Sequence, residues 1–555
     1  MLTIVAFACV SLVIFLLKYV FGSSGPNPFE KDCREPLKEK VYDKKEKNKI
    51  LKQGFVASKV PDNLDAVIIG SGVGGLGLAV LLAKVGKKVL VLEQHSRAGG
   101  CCHTFTEKGF EFDVGIHYIG DLMDHKPFRC MLDQMTNGQL QWEKLENPFD
   151  HVVLGPPENR RSYPIYSGSA RYSEELKKRF PGEEKAIDEY LKLVKVGFCD
   201  KTGRGIWVMA VLKLCPLPLA KFLIHTGLVK HLSYFYKMAP RSLTDVVNEL
   251  TENKDLRAVF TYIFGNIPKD ASFAMHSLLT THYLSGAWYP KAGSSEIFVV
   301  VFCLAEIQKQ LSLVKHGAGG LSIFIGLNGT REELGLRANN YWIFADNNFD
   351  ELYVFSINSF IFYSVLARDH QVPLGDGNPP SPGKLSSSVC FVLIGKSTLT
   401  VVSFANHSWF EEWKDGKVTN RGPDYKELKQ AFIDSALNVL AFLVTQKRVV
   451  FLQIEYIDAG TPITNTHYIA APKGEIYGVD HGIARFSPEL NATIRPQTPL
   501  KNLYLTGQDV FLCGFAGALA GALTCGSVIL NRNLHLDAIA LAKKTKYMNN
   551  KLKDE

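Results

Sequence analysis

The stretch from Ala66 to Glu93 constrains this chain most, because it reads as a complete strand, tight turn, helix and second strand. Ala66-Val67-Ile68-Ile69 is apolar and largely β-branched, and it runs straight into Gly70-Ser71-Gly72-Val73-Gly74-Gly75. That is the G-x-G-x-x-G spacing, in which the first glycine permits the turn, the second lets a pyrophosphate approach the backbone, and the third lets the helix pack closely on the strand. Leu76, Leu78, Ala79, Leu81, Leu82 and Ala83 predict a helix ending at Gly86, and its amino terminus offers N–H groups to phosphate oxygens. Lys88-Val89-Leu90-Val91-Leu92 reads as the second buried strand. Glu93 stands at its end, where a carboxylate accepts both hydroxyls of an adenosine ribose. A glycine motif alone also fits an ordinary loop. Strand, helix, second strand and acid at the expected spacing favour a dinucleotide site.

Glu93 also bears on which dinucleotide, since a carboxylate there repels a 2′-phosphate and suits NAD or the ADP half of FAD. Two features favour FAD. Arg97-Ala98-Gly99-Gly100 pairs glycines that let backbone pass close to a bound group with an Arg that can reach phosphate. Near the other end, strand-like Leu503-Tyr504-Leu505-Thr506 leads into Gly507-Gln508-Asp509 and a small-residue helix from about Ala516 to Leu530. An acid and a helix amino terminus come together again there, as a long cofactor with a ribityl arm requires. The bland alternative is a plain strand-to-helix turn. The expected fold is α/β: a Rossmann-type FAD-binding domain assembled from both ends of the chain, with an inserted α+β substrate domain facing the membrane.

A chain of 555 residues with 46% hydrophobic residues buries large cores. The net charge of +8 comes from basic residues mixed with acids, which argues against nucleic acid. Eleven cysteines without a CxxC pair suggest neither a disulfide framework nor a metal site. The vicinal Cys101 and Cys102 read as small apolar packing beside the cofactor rather than as redox chemistry. The expected division is 1–22 as signal peptide or membrane anchor, 23–60 as a charged linker, 61–125 as the first part of the FAD domain, 126–495 as the substrate domain with partial FAD-domain segments, 496–540 as the second FAD part, and 541–555 as a basic tail.

The apolar run Leu2 to Leu17 is short for a spanning helix and suits a signal h-region, although an uncleaved anchor stays open. Sequons at Asn328, Asn406 and Asn491 are compatible with a lumenal location. The final Lys551-Leu552-Lys553-Asp554-Glu555 resembles a dilysine retrieval tail, which is read in the cytosol and conflicts with that placement. The mixed charges from Glu30 to Lys52 read as a solvated, partly helical linker, or as a basic surface for anionic headgroups. From Gly205 to Met238 apolar residues are broken by Pro216, Pro218 and Gly227 and dotted with Lys213, Lys221, Lys230 and Lys237. Short amphipathic helices on a membrane surface and a buried helical lobe over the active site both fit that pattern.

The segments GSGVGGLG, VLEQHSRAGGCCHTF, FDVGIHYIG, YPKAGSSEI and LYLTGQDVFLCGFAGALAGAL together resemble the carotenoid isomerase and phytoene desaturase family of FAD-dependent oxidoreductases. The resemblance implies a flavin enzyme of the endoplasmic reticulum membrane, on its lumenal face. It implies an enzyme that saturates the 13,14 double bond of all-trans-retinol, or of a similar apolar polyene alcohol, to the 13,14-dihydro product. By the family pattern Gly70, Gly72, Gly75, Glu93, Arg97, Gly99, Gly100, Gly507 and Asp509 hold FAD, with NAD or NADP as further cofactors. The electron donor is not legible. Rival readings are a carotenoid-type desaturase or isomerase and a non-catalytic, membrane-associated retinoid or lipid binder. Tyr118, Tyr283, Tyr289, His276 and His282 are conceivable proton donors, and the sequence singles out none.

Two stretches depart from the family. After Ile297 its second half of the nucleotide domain is missing, with Phe298 to Phe302 and Glu306 to Leu313 in its place, and a second break runs from about Leu366 to Ile394. Ala292 replaces a family glycine. A doubly wound sheet is buried on both faces, so losing strands uncovers neighbours at a cost of several kcal/mol at roughly 25 cal/mol per Å². The expectation is weakened FAD binding and impaired activity.

Overall fold

The computed structural model describes residues 24–38, 54–156, 158–198, 205–263, 268–291, 293–298, 315–330, 332–336, 339–352, 363–369, 396–443 and 453–554. The apolar residues 2–17, the replacement stretch 299–314, Ala292 and most of the second break lie outside these.

The glycine unit forms as its sequence predicts. β1 (Ala66–Ile69) turns at Gly70, whose φ of +93° few other residues tolerate, into helix α1 (Val73–Ala83), and the chain returns as β2 (Val89–Leu92). The two strands pair in parallel from Ala66 with Val89 to Ile69 with Leu92. Among the described residues no third strand joins them. Ile68 and Val91 are buried, but Val67 and Ile69 on the opposite face are 51% and 41% exposed. Residues 503–506, expected as a strand, make only a single bridge between Tyr504 and Gln497. Residues 496–498 run alongside, with the Leu505 N–H bonded to the Pro496 carbonyl (2.8 Å), but the paired run is too short to make a ladder.

Next come the hairpin β3 (Thr104–Glu107) and β4 (Phe110–Asp113), then β5 (Ile119–Gly120), helix α2 (Pro127–Met135) and β6 (Trp142–Lys144). β7 (Asp150–Leu154) and β8 (Arg161–Ile165) enter the main sheet, and after the helical lobe come α3 (Phe273–Leu284) and β9 (Ala287–Pro290), which joins β5 and β6. The main sheet is completed by β10 (Gly320–Asn328), β11 (Asn340–Phe344), β12 (Tyr363–Asp369), β13 (Lys396–Phe404) and β14 (Ile454–Gly460), in the order β14-β10-β13-β12-β11-β7-β8. All its pairings are antiparallel except β11 with β7. Because side chains alternate along a strand, Val152 and Leu154 pack into the helical lobe while Val153 packs on the other face, beneath α4 (Pro423–Leu443). Helices α5 (Gly514–Ile529) and α6 (Leu534–Asp554) close the chain, with α5 lying against α1.

The described residues sharpen three sequence expectations. Residues 30–38 of the charged stretch are solvated as expected, all exposed except the half-buried Cys33, but they belong to a segment, 24–38, that docks on the nucleotide unit. Phe29 is buried there, Cys33 N–H bonds Gln134 Oε1 (2.9 Å), and Arg532 donates to the Gly25 carbonyl (3.0 Å). In the lobe, four short helices, Gly205–Leu214, Leu217–His225, Leu228–Leu232 and Tyr234–Met238, break where Pro216 and Gly227 stand. Most of the apolar residues described there are core, including Met209, Leu212, Val229, Phe235 and Tyr236, with Phe222 (59%) and Leu228 (43%) left outside. Lys213, read as a border lysine, is buried and donates to the carbonyls of Asn491 and Ile494. The sequon Asn491 is itself buried and accepts from the Tyr236 hydroxyl (3.0 Å), so the folded chain offers it no route to a glycan. Among the described residues no single helix is long and apolar enough to cross a membrane.

Candidate dinucleotide and substrate site

The site is built where α1 meets the late glycine turn. An ideal Cβ on Gly74 would stand 2.7 Å from the Gly507 nitrogen, and one on Gly521 of α5 would stand 2.9 Å from the Gly507 carbonyl carbon. Side chains at either place are therefore incompatible with the observed approach. Thr506 Oγ1 adds a bond to the Gly74 carbonyl (3.2 Å). The two ends of the chain meet around one cleft.

The amino terminus of α1 has Gly72 as its N-cap, with no side-chain cap and no acid in the first turn. The first N–H groups of a helix lack intrahelical partners, so this end is open to a phosphate. Around Gly70, Gly72 and Gly507 a Cβ would meet nothing within 4 Å, which leaves room for a group lying against bare backbone. Glu93 reaches back to the same turn: Oε2 accepts from the Ser71 N–H (3.0 Å) and hydroxyl, and Oε1 from the His95 N–H (2.9 Å). The Ser71 hydroxyl in turn accepts from the Gly99 N–H (2.9 Å), and Gly100 lies against Gly72. Ser71, overlooked in the sequence, is thus the peg between Glu93 and the paired glycines; its burial between two motif glycines was the available signal. Arg97 turns away from this contact and donates to the Thr104 carbonyl.

At the far side Asp509 Oδ1 accepts from the Val479 N–H (2.9 Å), and burial pushes its carboxyl up. Arg485 donates to the carbonyls of Gln508 (2.9 Å) and Asp509 (3.2 Å) and pins the turn. Cys101 and Cys513 are held as thiols, each pushed by burial up to about 11.

From this junction a cavity of about 290 Å³ leads toward the main sheet. Cys101, Gly115, Tyr477, Gly514 and Gly517 line its nucleotide end, and Phe128, Ile263, Met275, Leu278, Leu279 and Trp342 line much of the rest. Of the five conceivable proton donors, Tyr118, His282 and Tyr283 line it. His276 does not; it sits in the core, bonded to the Tyr190 hydroxyl (2.8 Å). Tyr289 donates instead to Asp113 (2.8 Å). Burial holds His117 and His282 down to about 4, so both are neutral at ordinary pH. Sequence reasoning missed Asp150, Tyr262 and Asn340 behind Tyr118, because only the fold brings them together.

Residues 68–135 match the family model for the NAD(P)-binding Rossmann-like domain, so the unit is of the dinucleotide-binding type. The all-trans-retinol 13,14-reductase of Danio rerio is 57% identical to this chain, covering 98% of each. A second Danio rerio protein, the inactive all-trans-retinol 13,14-reductase, is 32% identical and covers 91% of this chain and 92% of its own. More distantly, the lycopene-forming phytoene desaturase of Pantoea ananas is 24% identical over 41% of this chain and 44% of its own. The first of these alignments runs over 615 positions although the chain has 555 residues, so that relative holds stretches this chain skips. At that identity and coverage, the chain belongs to the all-trans-retinol 13,14-reductase family of oxidoreductases.

Proposed function

We propose that this chain reduces the 13,14 double bond of all-trans-retinol to give all-trans-13,14-dihydroretinol, using FAD and working at the endoplasmic reticulum membrane. The observation that carries the reading is an apolar cavity whose lining starts at Cys101, one residue past the Gly100 that lies against Gly72, and ends against the main sheet at Trp342 and Phe404. Gly70 and Gly72 would present backbone to a pyrophosphate, Gly75 lets α1 pack against the Gly70 carbonyl, Glu93 would accept the ribose hydroxyls, and the Gly507 to Asp509 turn would hold the ribityl arm. Gly99 and Gly100 support the turn that carries Glu93 and Ser71, while Arg97 holds the Thr104 carbonyl instead. When bound, FAD supplies the hydride.

The chain's own residues do the rest. Phe128, Met275, Leu278 and Leu279 give a polyene an apolar lining and keep water from the reacting carbons. A substrate so apolar partitions into lipid, which agrees with an enzyme resting on a membrane surface. The greater identity to the relative named as a reductase than to the one named inactive favours catalysis over mere binding.

Two measurements test this. Flavin absorbance against protein absorbance reports whether the thin β1–β2 unit retains FAD. Anaerobic incubation with all-trans-retinol and a reductant, followed by chromatography, reports the reaction. The expected product is 13,14-dihydroretinol. Isomerised or further desaturated product would make the chain a carotenoid-type enzyme, and unchanged retinol with bound flavin would make it a binder.

A further inference from the structure

Asp150 opens β7 and is wholly buried. Its Oδ2 accepts the phenol O–H of Tyr262 (2.8 Å) and of Tyr118 (3.1 Å), and Asn340 Nδ2–H donates to the Tyr118 oxygen (3.2 Å). Its Oδ1 is buried and, among the described residues, has no hydrogen-bond partner of good geometry, with Asn340 and Trp342 the nearby donors. The titratable groups facing it are the phenols of Tyr118, Tyr262 and Tyr283, from three different parts of the chain, with Trp342 alongside. Tyr118 lines the cavity, whereas Asp150 and Tyr262 stand behind it.

A carboxylate in such a place is poorly solvated. Burial pushes Asp150 up to about 7, against the hydrogen bonds from Tyr262 and Tyr118 that pull it down. Near neutrality the cluster therefore holds a proton that a surface carboxyl would have released. Burial together with the Asp150 charge pushes the Tyr118 phenol up, so it keeps its own proton until a base appears. The cavity's rival donors are worse placed. His282 is neutral with Nε2 accepting the Gly120 N–H (3.1 Å), which leaves its one proton on Nδ1. Among the described residues neither that nitrogen nor Tyr283, which stacks on Phe149 and Tyr118, has a hydrogen-bonded acid behind it to resupply a proton.

We propose that Tyr118 delivers the proton of the reduction, and that Asp150 is the positioning residue that holds its replacement. This rests on the retinol-reducing reading above. The π pair of the substrate double bond forms the new C–H bond with the Tyr118 proton at the carbon next to the one that gains hydride. The phenolate left on Tyr118 is held by the Asn340 N–H and takes the acid proton of Asp150, and the Asp150 carboxylate is recharged from solvent. Hydride and proton together saturate the bond, with the reduced cofactor as the reductant.

The test compares the flavin-loaded wild type with Tyr118→Phe and Asp150→Asn, using all-trans-retinol in H2O and D2O and a pH series. Tyr118→Phe should lower kcat by roughly 10²-fold or more, the range of a lost general acid, with KM within about threefold. Asp150→Asn should lower kcat about tenfold on the scale of such losses and abolish the fall in kcat above about pH 7. Wild-type kcat and pH profile in the Tyr118→Phe holoenzyme would overturn the proposal. Should the wild type itself give no dihydroretinol, the retinol reading falls, and the cluster is then judged by infrared spectroscopy of the purified chain. A protonated-carboxyl C=O band at pH 6 that vanishes in Asp150→Asn supports the shared proton, and its absence from the wild type overturns it. The same band decides the matter if either variant loses flavin.

Discussion

In the main sheet Val152 and Leu154 face the helical lobe and Val153 and Ile343 face the long helix α4, and none of the four is more than 3% exposed. In the β1–β2 pair Ile68 and Val91 are covered by helices while Val67 and Ile69, one pleat away, meet solvent. Both sheets have the same apolar, β-branched chemistry. The difference is what lies on the second face: the main sheet is covered on both, by α4 on one side and on the other by the helical lobe over β7, β8 and β11 and the β3–β4 hairpin over β10 and β14, whereas the two strands are covered on one. The nucleotide unit is therefore held less by its sheet than by the contact of α1 with α5, where Leu78, Leu81 and Leu82 meet Leu519, Ala522 and Leu523 and where glycines let backbones touch. That half of the molecule should be the more easily lost.

Gly74→Val strikes the contact directly, because the new side chain meets the Gly507 backbone rather than a flexible neighbour. Overpacking against backbone typically costs about 1–3 kcal/mol and sometimes more, and here it also shifts the phosphate-facing helix end. The expected outcome is the largest of all: flavin-to-protein absorbance down at least about tenfold, with the near-UV signal of the substrate half retained. A variant that keeps its flavin would show that the sheet, not the glycine contact, holds the unit together.

The main sheet is covered well enough to bury a charge, and Asp150 provides the second prediction. Its unfolded pKa is about 4 and its folded pKa is raised to about 7. Between these values the folded chain keeps a proton that the unfolded chain has released, so stability falls as pH rises through that window and levels off above it. A shift of three units corresponds to roughly 4 kcal/mol as an upper figure. Asp150→Asn should flatten the dependence, so that urea unfolding at pH 5 and pH 8 gives wild-type stabilities that differ and variant stabilities that do not. Parallel curves would mean the carboxylate is solvated and the sheet less closed than Val152 and Leu154 suggest.

A third, smaller pair of substitutions reads the comparison itself. Val153→Thr places a hydroxyl in a closed core and should cost about 1–3 kcal/mol, while Val67→Thr on the open face should stay within about 0.5 kcal/mol. The measurement is the urea midpoint at constant slope. If Val67→Thr cost as much as Val153→Thr, something covers β1 in the native protein.

The sequence carried the parts of this molecule whose causes are local. The glycine spacing, the short apolar strands flanking α1 and the breaks at Pro216 and Gly227 all depend on residues a few positions apart, and they appear where expected. The pairing of Gly74 with Gly507 was inferable only because each sits in a recognisable motif. Asp150 was not legible, since Phe149-Asp150-His151 resembles the polar edge of a strand and its partners Tyr118, Tyr262 and Asn340 come from remote segments. Lys213 misled for the same reason: the carbonyls that accept its protons belong to Asn491 and Ile494, far along the chain. The strand expected at 503–506 shrank to one bridge because its neighbour, 496–498, pairs over too short a run, which propensity cannot foresee.

The smallest effect on stability should come from the lobe, where Phe222 and Leu228 remain exposed beside Lys221, Lys230 and Lys237. Replacing both apolar residues with Glu uncovers no core, so the urea midpoint should move by less than about 0.5 kcal/mol. On a membrane the same change is large. Each such side chain gains roughly 1.5–3 kcal/mol on leaving water, and the new carboxylates are repelled by anionic headgroups that attract the lysines. A form lacking residues 1–22 should therefore bind vesicles of mixed neutral and anionic lipid, and the double replacement should weaken that binding by about tenfold or more even if the side chains immerse only in part. Sedimentation with vesicles measures both. Unchanged binding, or none by the unsubstituted form, would assign Phe222 and Leu228 to the ordinary scatter of exposed apolar residues and leave the lobe as a cover for the core alone.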